Sequence, residues 1–594
     1  MLQVGSSYLA FGKVSYFQQQ PQISHPELEL SNIMDNNLKS FMEPVYSTTE
    51  KLKSRGLGGR QLARLTFNLF SFLEQKDIPE NLLSEMILQY KLYGRFEALT
   101  KIHFPNSTEE IIEATKRLKF EELFFSQLRL GMLRAERTHS SKGAIFNKVG
   151  NIFNEFYNNY LPFELTAAQK RVIKEIRKDI GSGRQMNRLL QGDVGSGKTI
   201  VALLVMLIAI DNGYQNVLMA PTEILARQHC TGLTELLKGM PVVVRLLTGS
   251  VKGKERKEIF KLTEEGKIDI LVGTHAVIED TVKFRNLGFA IIDEQHKFGV
   301  QQRARLWSKN DVPPHILVMT ATPIPRTLAL TAYGDLDFSV IDELPPGRQF
   351  ITTVHRNESN RHKVMNFIKD EITKGRQAYI IYPLIEESSK MDFENLMKGY
   401  EEVKAYFPEP KYWISMLHGK QKADQKQTNM SRFVNGTTQI MVSTTVIEVG
   451  VNVPNASVMV IESAERFGLP QLHQLRGRVG RGSEKSYCIL LTGSRLSAEA
   501  KQRLKIMCQT NDGFEIAEKD LEIRGPGEIE GTKQSGILNF KLADLVKDKR
   551  MMELAREEVE KILNTDPKLT SAKHLPLKSY MEMLKGKTIW SKIS

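Results

Sequence analysis

Short apolar runs separated by stretches of helical spacing dominate the chain from about residue 146 to about residue 495. The first half of this region contains NVLMAP, VVVRLLTG, IDILVGT, FAIIDE and ILVMTAT, and the second half contains QAYIIYPLI, WISMLHG, QIMVSTT, ASVMVIE and SYCILLTG. Strands of a parallel sheet are buried on both faces, so their sequences are continuously apolar rather than alternating. The pattern predicts an α/β fold with two tandem domains, each a doubly wound parallel sheet.

The regions that flank these sheets have different patterns. Apolar residues at intervals of three and four predict helices in GGRQLARLTFNLFSFLEQK, ENLLSEMILQYKLYGRFEALTKIH and TEEIIEATKRLKFEELFFSQLRLGMLRAER. The N-terminus has short alternating segments that predict part of a β domain. We therefore expect a partial β domain at 1–35, a helical connector at 36–145, the α/β domains at 146–345 and 346–500, and a C-terminal region at 501–594.

Composition narrows the choice of partner and compartment. Lysine and arginine total 82 against 69 acidic residues, and this net charge of +13 favours a polyanionic partner without requiring one. The three cysteines form no CxxC pair, which predicts a reduced cytoplasmic protein without structural zinc. The longest apolar run, IVALLVMLIAI, is too short to span a bilayer, so we predict a buried helix and no membrane association.

The strongest chemical signal is GDVGSGKT, which matches the phosphate-loop pattern G-x-x-x-x-G-K-[ST]. Backbone N–H groups of such a loop bind a triphosphate, while Lys198 would reach the β and γ phosphates and Thr199 would bind Mg²⁺. The preceding MNRLLQ and the following apolar run supply a strand-loop-helix context, which disfavours an ordinary glycine turn. The predicted nucleotide-binding residues are Gly192, Asp193, Val194, Gly195, Ser196, Gly197, Lys198 and Thr199.

Two further segments supply charged groups for the same chemistry. FAIIDEQHKFG delivers Asp293 and Glu294 at the end of a predicted strand, where Asp293 would bind Mg²⁺ and Glu294 would polarise the attacking water. A solvated strand end is the alternative. QLHQLRGRVGRG contains Arg478 and Arg481, which suit contact with a γ-phosphate bound by the other domain, although a basic surface turn stays open for this segment.

Together these segments resemble superfamily-two helicases. FELTAAQ is similar to the adenine-reading Q motif, with Gln169 as the reader and Phe163 as its stacking partner. APTEILARQH, TGS, GTHA and STTVIEVGVNVPNAS resemble further motifs of the superfamily, several of which contact the nucleic-acid strand. TATPIPRT, with Thr320 and Thr322, resembles the motif that links hydrolysis to domain movement.

Within that superfamily the chain resembles the RecG family of branch-migration helicases. DEQHKFGVQQR, MEPVYSTTE and HPELEL are similar to segments of that family, and EKDLEIRGPGEIEGTKQSG resembles its TRG element, which couples the motor to DNA translocation. The residues of that coupling role fall on Arg503, Arg524 and Gln534. The resemblance implies a monomeric, ATP- and Mg²⁺-dependent helicase of the bacterial cytosol. Its implied substrates are branched double-stranded DNA, namely stalled forks, Holliday junctions and R-loops, and a single-strand-binding protein is a candidate partner.

One departure from the family and three alternatives remain at this stage. RecG proteins begin with a helical segment and a complete OB-fold wedge, so we expect this chain to be N-terminally shortened. No base-stacking role is carried over to Tyr8, Phe11, Tyr16 or Phe17, for which a core position is favoured. The alternatives are a transcription-repair coupling factor, a DEAD-box RNA helicase and a DNA-binding protein whose motor is vestigial. The first shares the TRG element, but it would need an RNA-polymerase-binding module and a damage-recognition region that the N-terminal 145 residues do not suggest. The second has no TRG element and its box reads Asp-Glu-Ala-Asp, and intact catalytic residues disfavour the last.

Overall fold

The structure of the chain is a computed structural model. It describes residues 6, 8–12, 14–17, 20–23, 26–30, 42, 44–140, 142–294, 306, 309–310, 312–321, 323, 325, 336–345, 349–383, 389–444, 453–480, 482, 484–524 and 540–590. The chain divides into two compact units. The first comprises Met1–Phe125, Phe540–Ala543 and Lys568–Ser594, and the second comprises Ser126–Asn539 and Asp544–Pro567.

The strands of the second unit form two parallel sheets, and those of the first unit form two antiparallel pairs. In chain order the strands are β1 Tyr8–Phe11, β2 Val14–Phe17, β3 Gln20–Ile23, β4 Glu27–Leu30, β5 Asn187–Gly192, β6 Gln215–Met219, β7 Val244–Leu247, β8 Ile270–Gly273, β9 Leu287–Asp293, β10 His315–Thr320, β11 Asp337–Ile341, β12 Thr352–Asn357, β13 Gln377–Ile381, β14 Ile414–Leu417, β15 Ile440–Ser443, β16 Ala456–Ile461 and β17 Tyr487–Thr492.

The described residues also form α-helices. They are α1 Glu50–Lys53, α2 Gly59–Phe72, α3 Ser84–Tyr90, α4 Arg95–His103, α5 Thr108–Ser140, α6 Asn151–Glu155, α7 Ala167–Ile180, α8 Lys198–Asp211, α9 Glu223–Leu236, α10 Gly253–Glu264, α11 Arg361–Thr373, α12 Ser389–Tyr406, α13 Ala423–Val434, α14 Leu469–Arg476, α15 Ala498–Gln509, α16 Gly513–Arg524, α17 Lys549–Thr565 and α18 Leu575–Trp590. Helix α6 continues into a π-helical segment, Phe156–Tyr160. Within the described residues, no helix is both long and apolar enough to cross a membrane.

The two parallel sheets confirm the predicted fold class. The sheet of the first α/β domain has seven strands in the order β11-β5-β10-β9-β6-β8-β7, and that of the second has six in the order β12-β17-β16-β13-β15-β14. Neighbouring strands of the first sheet end together, since Thr320 pairs with Gln191 and Met319 pairs with Asp293. The residues after β5, β9 and β10 therefore meet at one edge, where open α/β sheets bind their ligands.

Helix α8 shows how the first sheet is covered. Eleven of its fourteen residues are buried, including the apolar stretch from Ile200 to Ala209. A helix that is apolar on all sides is stable only inside a core, and α8 packs there with the inward faces of α7 and β6. Because α8 begins directly after the phosphate loop, the core anchors that loop.

The structure differs from the sequence expectations in two places. The segment 80–103 was expected as one helix, but α3 ends at Tyr90, Lys91 adopts a left-handed φ of 50° and α4 begins after Gly94. Three-residue and four-residue spacing continues through this break, so spacing alone does not reveal it. Strands β11 and β12 were not predicted because their sequences, DFSVI and TTVHRN, mix polar with apolar residues, and every residue of β12 is half-buried or exposed.

Within the first unit, an ionic cluster lies in the helical core. Arg117 of α5 is fully buried and donates to Glu80 at 2.6 Å and Glu121 at 2.8 Å, and Asn81 donates to Glu121 at 2.8 Å. Removing one partner from such a cluster leaves a buried charge without compensation. The connector helices are therefore fixed by polar as well as apolar contacts.

Candidate functional site

The phosphate loop lies between β5 and α8 and has the backbone that its glycines permit. Gly195 and Gly197 have φ of 77° and 85°. A Cβ at Gly197 would also lie 2.3 Å from Nε2 of Gln169, so this position requires glycine for both space and conformation. The buried ammonium of Lys198 donates to the carbonyl oxygens of Gly192 at 2.7 Å and Asp193 at 2.8 Å.

Gln169 supports this loop from α7. Its Oε1 accepts a hydrogen bond from the backbone N–H of Thr166 at 2.9 Å, and the Thr166 hydroxyl accepts from the backbone N–H of Gln169 at 3.2 Å. Its Nε2 donates to the carbonyl of Ser196 at 2.9 Å. The fully buried side chain thus joins the N-terminus of α7 to the phosphate loop. Phe163, the predicted stacking residue, is 44% exposed.

The acidic pair lies at the end of β9, on the same sheet edge as the loop. Oδ2 of Asp293 lies 2.9 Å from Nε2 of His229 on α9. Burial would raise the pKa of Asp293, but the hydrogen bond and charge of His229, the charge of Lys198 and the backbone N–H of Glu294 together outweigh burial and lower it. For Glu294, burial and the neighbouring charge of Asp293 raise the pKa. One carboxylate is therefore stabilised as an anion while its neighbour has an increased affinity for a proton.

The backbone conformation of Glu294 differs from that of a residue in a regular strand. Its φ is 54°, in the left-handed region that residues other than glycine rarely adopt. Such strain persists only where the surrounding structure enforces it, and it occurs often at functional sites. The sequence placed Glu294 at the strand end, but it did not predict this conformation.

The second α/β domain contacts the phosphate loop through α14. Nε2 of His473 lies 2.5 Å from Oδ1 of Asp193, and a Cβ added at Gly477 would lie 2.8 Å from Cβ of Val194. Arg476 lies 3.0 Å from Nδ1 of His473. A guanidinium can only donate, so Nδ1 accepts and His473 is the neutral tautomer that donates from Nε2 to Asp193.

The contact with His473 favours the ionised form of the Asp193 carboxyl group. Burial alone would raise the pKa of its carboxyl group, but the hydrogen bond from His473 contributes to a lowered pKa. His473 was missed by sequence analysis, which selected only the arginines of the same segment. Of these, Arg478 is buried, and its charge acts to lower the pKa of Glu294 against the stronger effects of burial and Asp293. Arg481 lies outside the described residues.

Two of the predicted coupling residues, Arg503 and Arg524, lie on the hairpin of α15 and α16, which packs against α14. Arg503 donates to the carbonyl of Glu465 at 2.8 Å, and Nε of Arg524 lies 2.9 Å from Oδ2 of Asp520. Asp520, which sequence analysis did not select, also accepts a hydrogen bond from the backbone N–H of Leu469, the first residue of α14. Burial raises the pKa of Asp520 despite both arginines. The hairpin is therefore fastened to the helix that carries His473.

The remaining predicted coupling residues are Thr320, Thr322 and Gln534, of which the structure describes only Thr320. Thr320 is buried at the end of β10, on the sheet edge that carries the phosphate loop. Thr322 and Gln534 lie outside the described residues. The structure thus brings Lys198, Asp293 and Glu294 together with the α14 segment around one sheet edge.

Three successive segments of the chain match models of protein families. Residues 166–331 match the model for DEAD/DEAH box helicases, and residues 360–483 match the helicase conserved C-terminal domain. Residues 510–594 match the model described as ATP-dependent DNA helicase RecG, domain 3, C-terminal. The last match includes α16, α17 and α18, which follow the strands of both parallel sheets in the sequence.

Individual proteins resemble the chain over nearly its whole length. The ATP-dependent DNA helicase RecG of Synechocystis sp. is 47% identical over 577 residues, which cover 96% of this chain and 68% of the relative. RecG of Bacillus subtilis is 45% identical over 565 residues, covering 95% and 81%. A solved structure of RecG bound to a three-way DNA junction has a TM-score of 0.67 and 39% identity, and the match covers 92% of this chain and 70% of that one.

Proposed function

Because the chain belongs to the RecG family of ATP-dependent DNA helicases, we propose that it remodels branched double-stranded DNA at stalled forks, Holliday junctions and R-loops. A relative solved with a three-way junction supports this choice of substrate. The observation that carries the proposal is the contact between His473 and Asp193, because it joins the phosphate loop to the second α/β domain. A change at the nucleotide can then alter how the two domains meet.

We assign the nucleotide chemistry to residues of the sheet edge. The backbone of Gly192–Gly197 and the ammonium of Lys198 would bind the phosphates of ATP. The hydroxyl of Thr199 and the carboxylate of Asp293 are hard oxygen ligands of the kind that Mg²⁺ prefers, and the lowered pKa keeps Asp293 ionised, so this donor set fits the metal. Bound there, Mg²⁺ would neutralise phosphate charge. Phe163 and Gln169 would lie beside the adenine.

Glu294 is the proposed general base. Its raised pKa gives the carboxylate a greater affinity for the proton of an attacking water than an exposed glutamate has. Arg478, with Arg481 of the same segment, would stabilise the negative charge that develops on the γ-phosphate. The positive charge of Arg478 already acts on Glu294, which supports its place near the reacting atoms.

Coupling to DNA is assigned to the structures behind this site. Thr320 and Thr322 would transmit the state of the nucleotide within the first α/β domain. Arg503, Arg524 and Gln534 would transmit movement of α14 to the DNA, and the bonds from Asp520 to Leu469 and Arg524 support this route. We propose the domain boundaries 1–35, 36–145, 146–345, 346–500 and 501–594, with a monomer in the bacterial cytosol and a single-strand-binding protein as a partner.

The test compares three nucleic acids at equal total phosphate concentration. ATP turnover is measured with a fluorescently labelled three-way junction, a linear duplex and a single-stranded RNA, and strand separation is measured with the junction and the duplex. The junction should stimulate turnover most and should be unwound only with ATP. A Lys198→Ala chain should bind the junction without unwinding it. Equal stimulation by all three nucleic acids, or turnover without unwinding of the junction, would contradict the proposal.

A further inference from the structure

A cavity of about 420 Å³ lies away from the phosphate loop, within the second unit. Its walls come from four parts of the chain that are distant in sequence: the second half of α5, the segment between α7 and β5, the β11 edge of the first sheet, and α17. Cavities of this size accommodate small-molecule ligands. None of the roles proposed above uses it.

Cationic side chains dominate the polar part of this wall. Arg134 of α5, Arg184 after α7 and Arg556 of α17 line the cavity, together with the single carboxylate of Glu560. Arg134 is paired with Asp337, and Nε of Arg556 lies 2.8 Å from Oε1 of Glu560. For the exposed side chain of Arg184, no ion pair occurs with any other described residue. The wall therefore has an excess of positive charge with one guanidinium uncommitted.

A buried amide in the same wall lacks a hydrogen-bond acceptor. Gln127 of α5 is only 6% exposed and lines the cavity. Within the part of the chain that the structure describes, its Nε2 has no hydrogen-bond partner. A buried donor without an acceptor costs free energy, so native structures nearly always satisfy it. An acceptor that enters the cavity would satisfy this amide.

The rest of the wall is apolar, with Leu130, Phe338, Val559 and Leu563 among its residues. Guanidinium groups and an amide donor that line the same cavity as aliphatic and aromatic side chains match a molecule that has an anionic group and an apolar body. Arginine binds phosphate through paired N–H donors. We propose that this cavity binds a small phosphorylated molecule with an apolar or aromatic body, whose phosphate accepts hydrogen bonds from Arg184 and Gln127.

Phenyl phosphate is a suitable probe because it carries both features and no nucleobase. Calorimetry is performed on the full chain with Lys198→Ala, so that the phosphate loop lacks its ammonium. Phenyl phosphate should bind saturably, with a dissociation constant below about 1 mM. Arg184→Gln in the same background should weaken binding about tenfold or more, since a charge-assisted hydrogen bond is lost. Gln127→Met should weaken it in the same direction.

Arg177→Gln is the matched control, because Arg177 is an exposed arginine of α7 that does not line the cavity. It should leave the affinity unchanged. A short oligonucleotide with and without a 5′-phosphate distinguishes a nucleic-acid end from a free metabolite as the source of the phosphate. Absence of saturable binding by phenyl phosphate, or equal affinities in the Arg184→Gln and Arg177→Gln chains, would overturn the proposal.

Discussion

Replacing His473 with alanine should uncouple the two α/β domains without removing any group proposed to touch ATP. The imidazole donates to Asp193 across 2.5 Å, while Arg476 donates to its other nitrogen. Only 18% of the Asp193 side chain is exposed, so water replaces the lost donor incompletely. The backbone carbonyl of Asp193 also accepts a hydrogen bond from Lys198, so the substitution disturbs a residue next to the phosphate site.

The size of the effect follows from the kind of bond. A hydrogen bond to a charged group contributes about 1.5–3 kcal/mol, which corresponds to a factor of about 10 to 150. We therefore expect kcat/KM for DNA-stimulated ATP turnover to fall by that factor in the His473→Ala chain. Binding of ATP in the absence of DNA should change less, because the loop backbone and Lys198 remain.

The assay measures ATP turnover with saturating three-way junction, and it follows closure of the domains by fluorescence transfer between labels on each. His473→Gln is the conservative control, since a glutamine amide can both accept from Arg476 and donate to Asp193. It should restore most of the turnover and the closure. If His473→Ala turns over ATP at the normal rate, or if glutamine and alanine have equal effects, the hydrogen bond does not couple the domains.

Three other predictions concern separate parts of the molecule. Glu294→Gln should lower ATP turnover by about 10²–10⁴-fold while ATP and junction binding persist, and retained turnover would exclude Glu294 as the base. Arg524→Ala should leave junction-stimulated ATP turnover substantially present but abolish unwinding. Lys519→Ala, on the exposed side of the same helix, should preserve both activities. Equal loss of both activities in the Arg524→Ala chain would contradict a coupling role. Burial lowers the pKa of His315 from 6.5 to about 4. As the pH falls, the unfolded chain therefore takes up a proton before the folded chain does. The free energy of unfolding of the first α/β domain should drop by about 3 kcal/mol between those two pKa values. Hydrogen exchange at the Met186 amide, which donates to His315 at 2.9 Å, measures this loss, and His315→Gln should remove it.

The sheets were predictable because burial on both faces leaves a strong local signal. The run FAIIDE includes the last five residues of β9 and QIMVSTT contains all of β15, and the phosphate-loop pattern located Lys198 directly. Strands β11 and β12 carry a weaker signal because DFSVI and TTVHRN mix polar with apolar residues, whereas the other two edge strands, β7 and β14, lie in apolar runs. The break at Lys91 was missed because it depends on one left-handed residue.

The site was predictable for residues that local motifs mark, and not for residues that act across the chain. His473 and Asp193 are 280 positions apart, and no spacing rule relates them. His229 and Asp520 likewise matter through the groups they meet, Asp293 and the start of α14. Glu294 was selected for its place after a strand, but its conformation depends on tertiary contacts that override local preference.

The buried position of Lys198 also decides when its ammonium loses water. Carbonyl oxygens of Gly192 and Asp193 already replace its hydration shell in the folded chain. The cost of dehydrating this cation therefore belongs to folding, and the arrival of a phosphate exchanges one set of oxygen acceptors for another. An exposed lysine at this position would instead lose its water each time nucleotide bound. The loop therefore binds phosphate without a separate cost for dehydrating this cation.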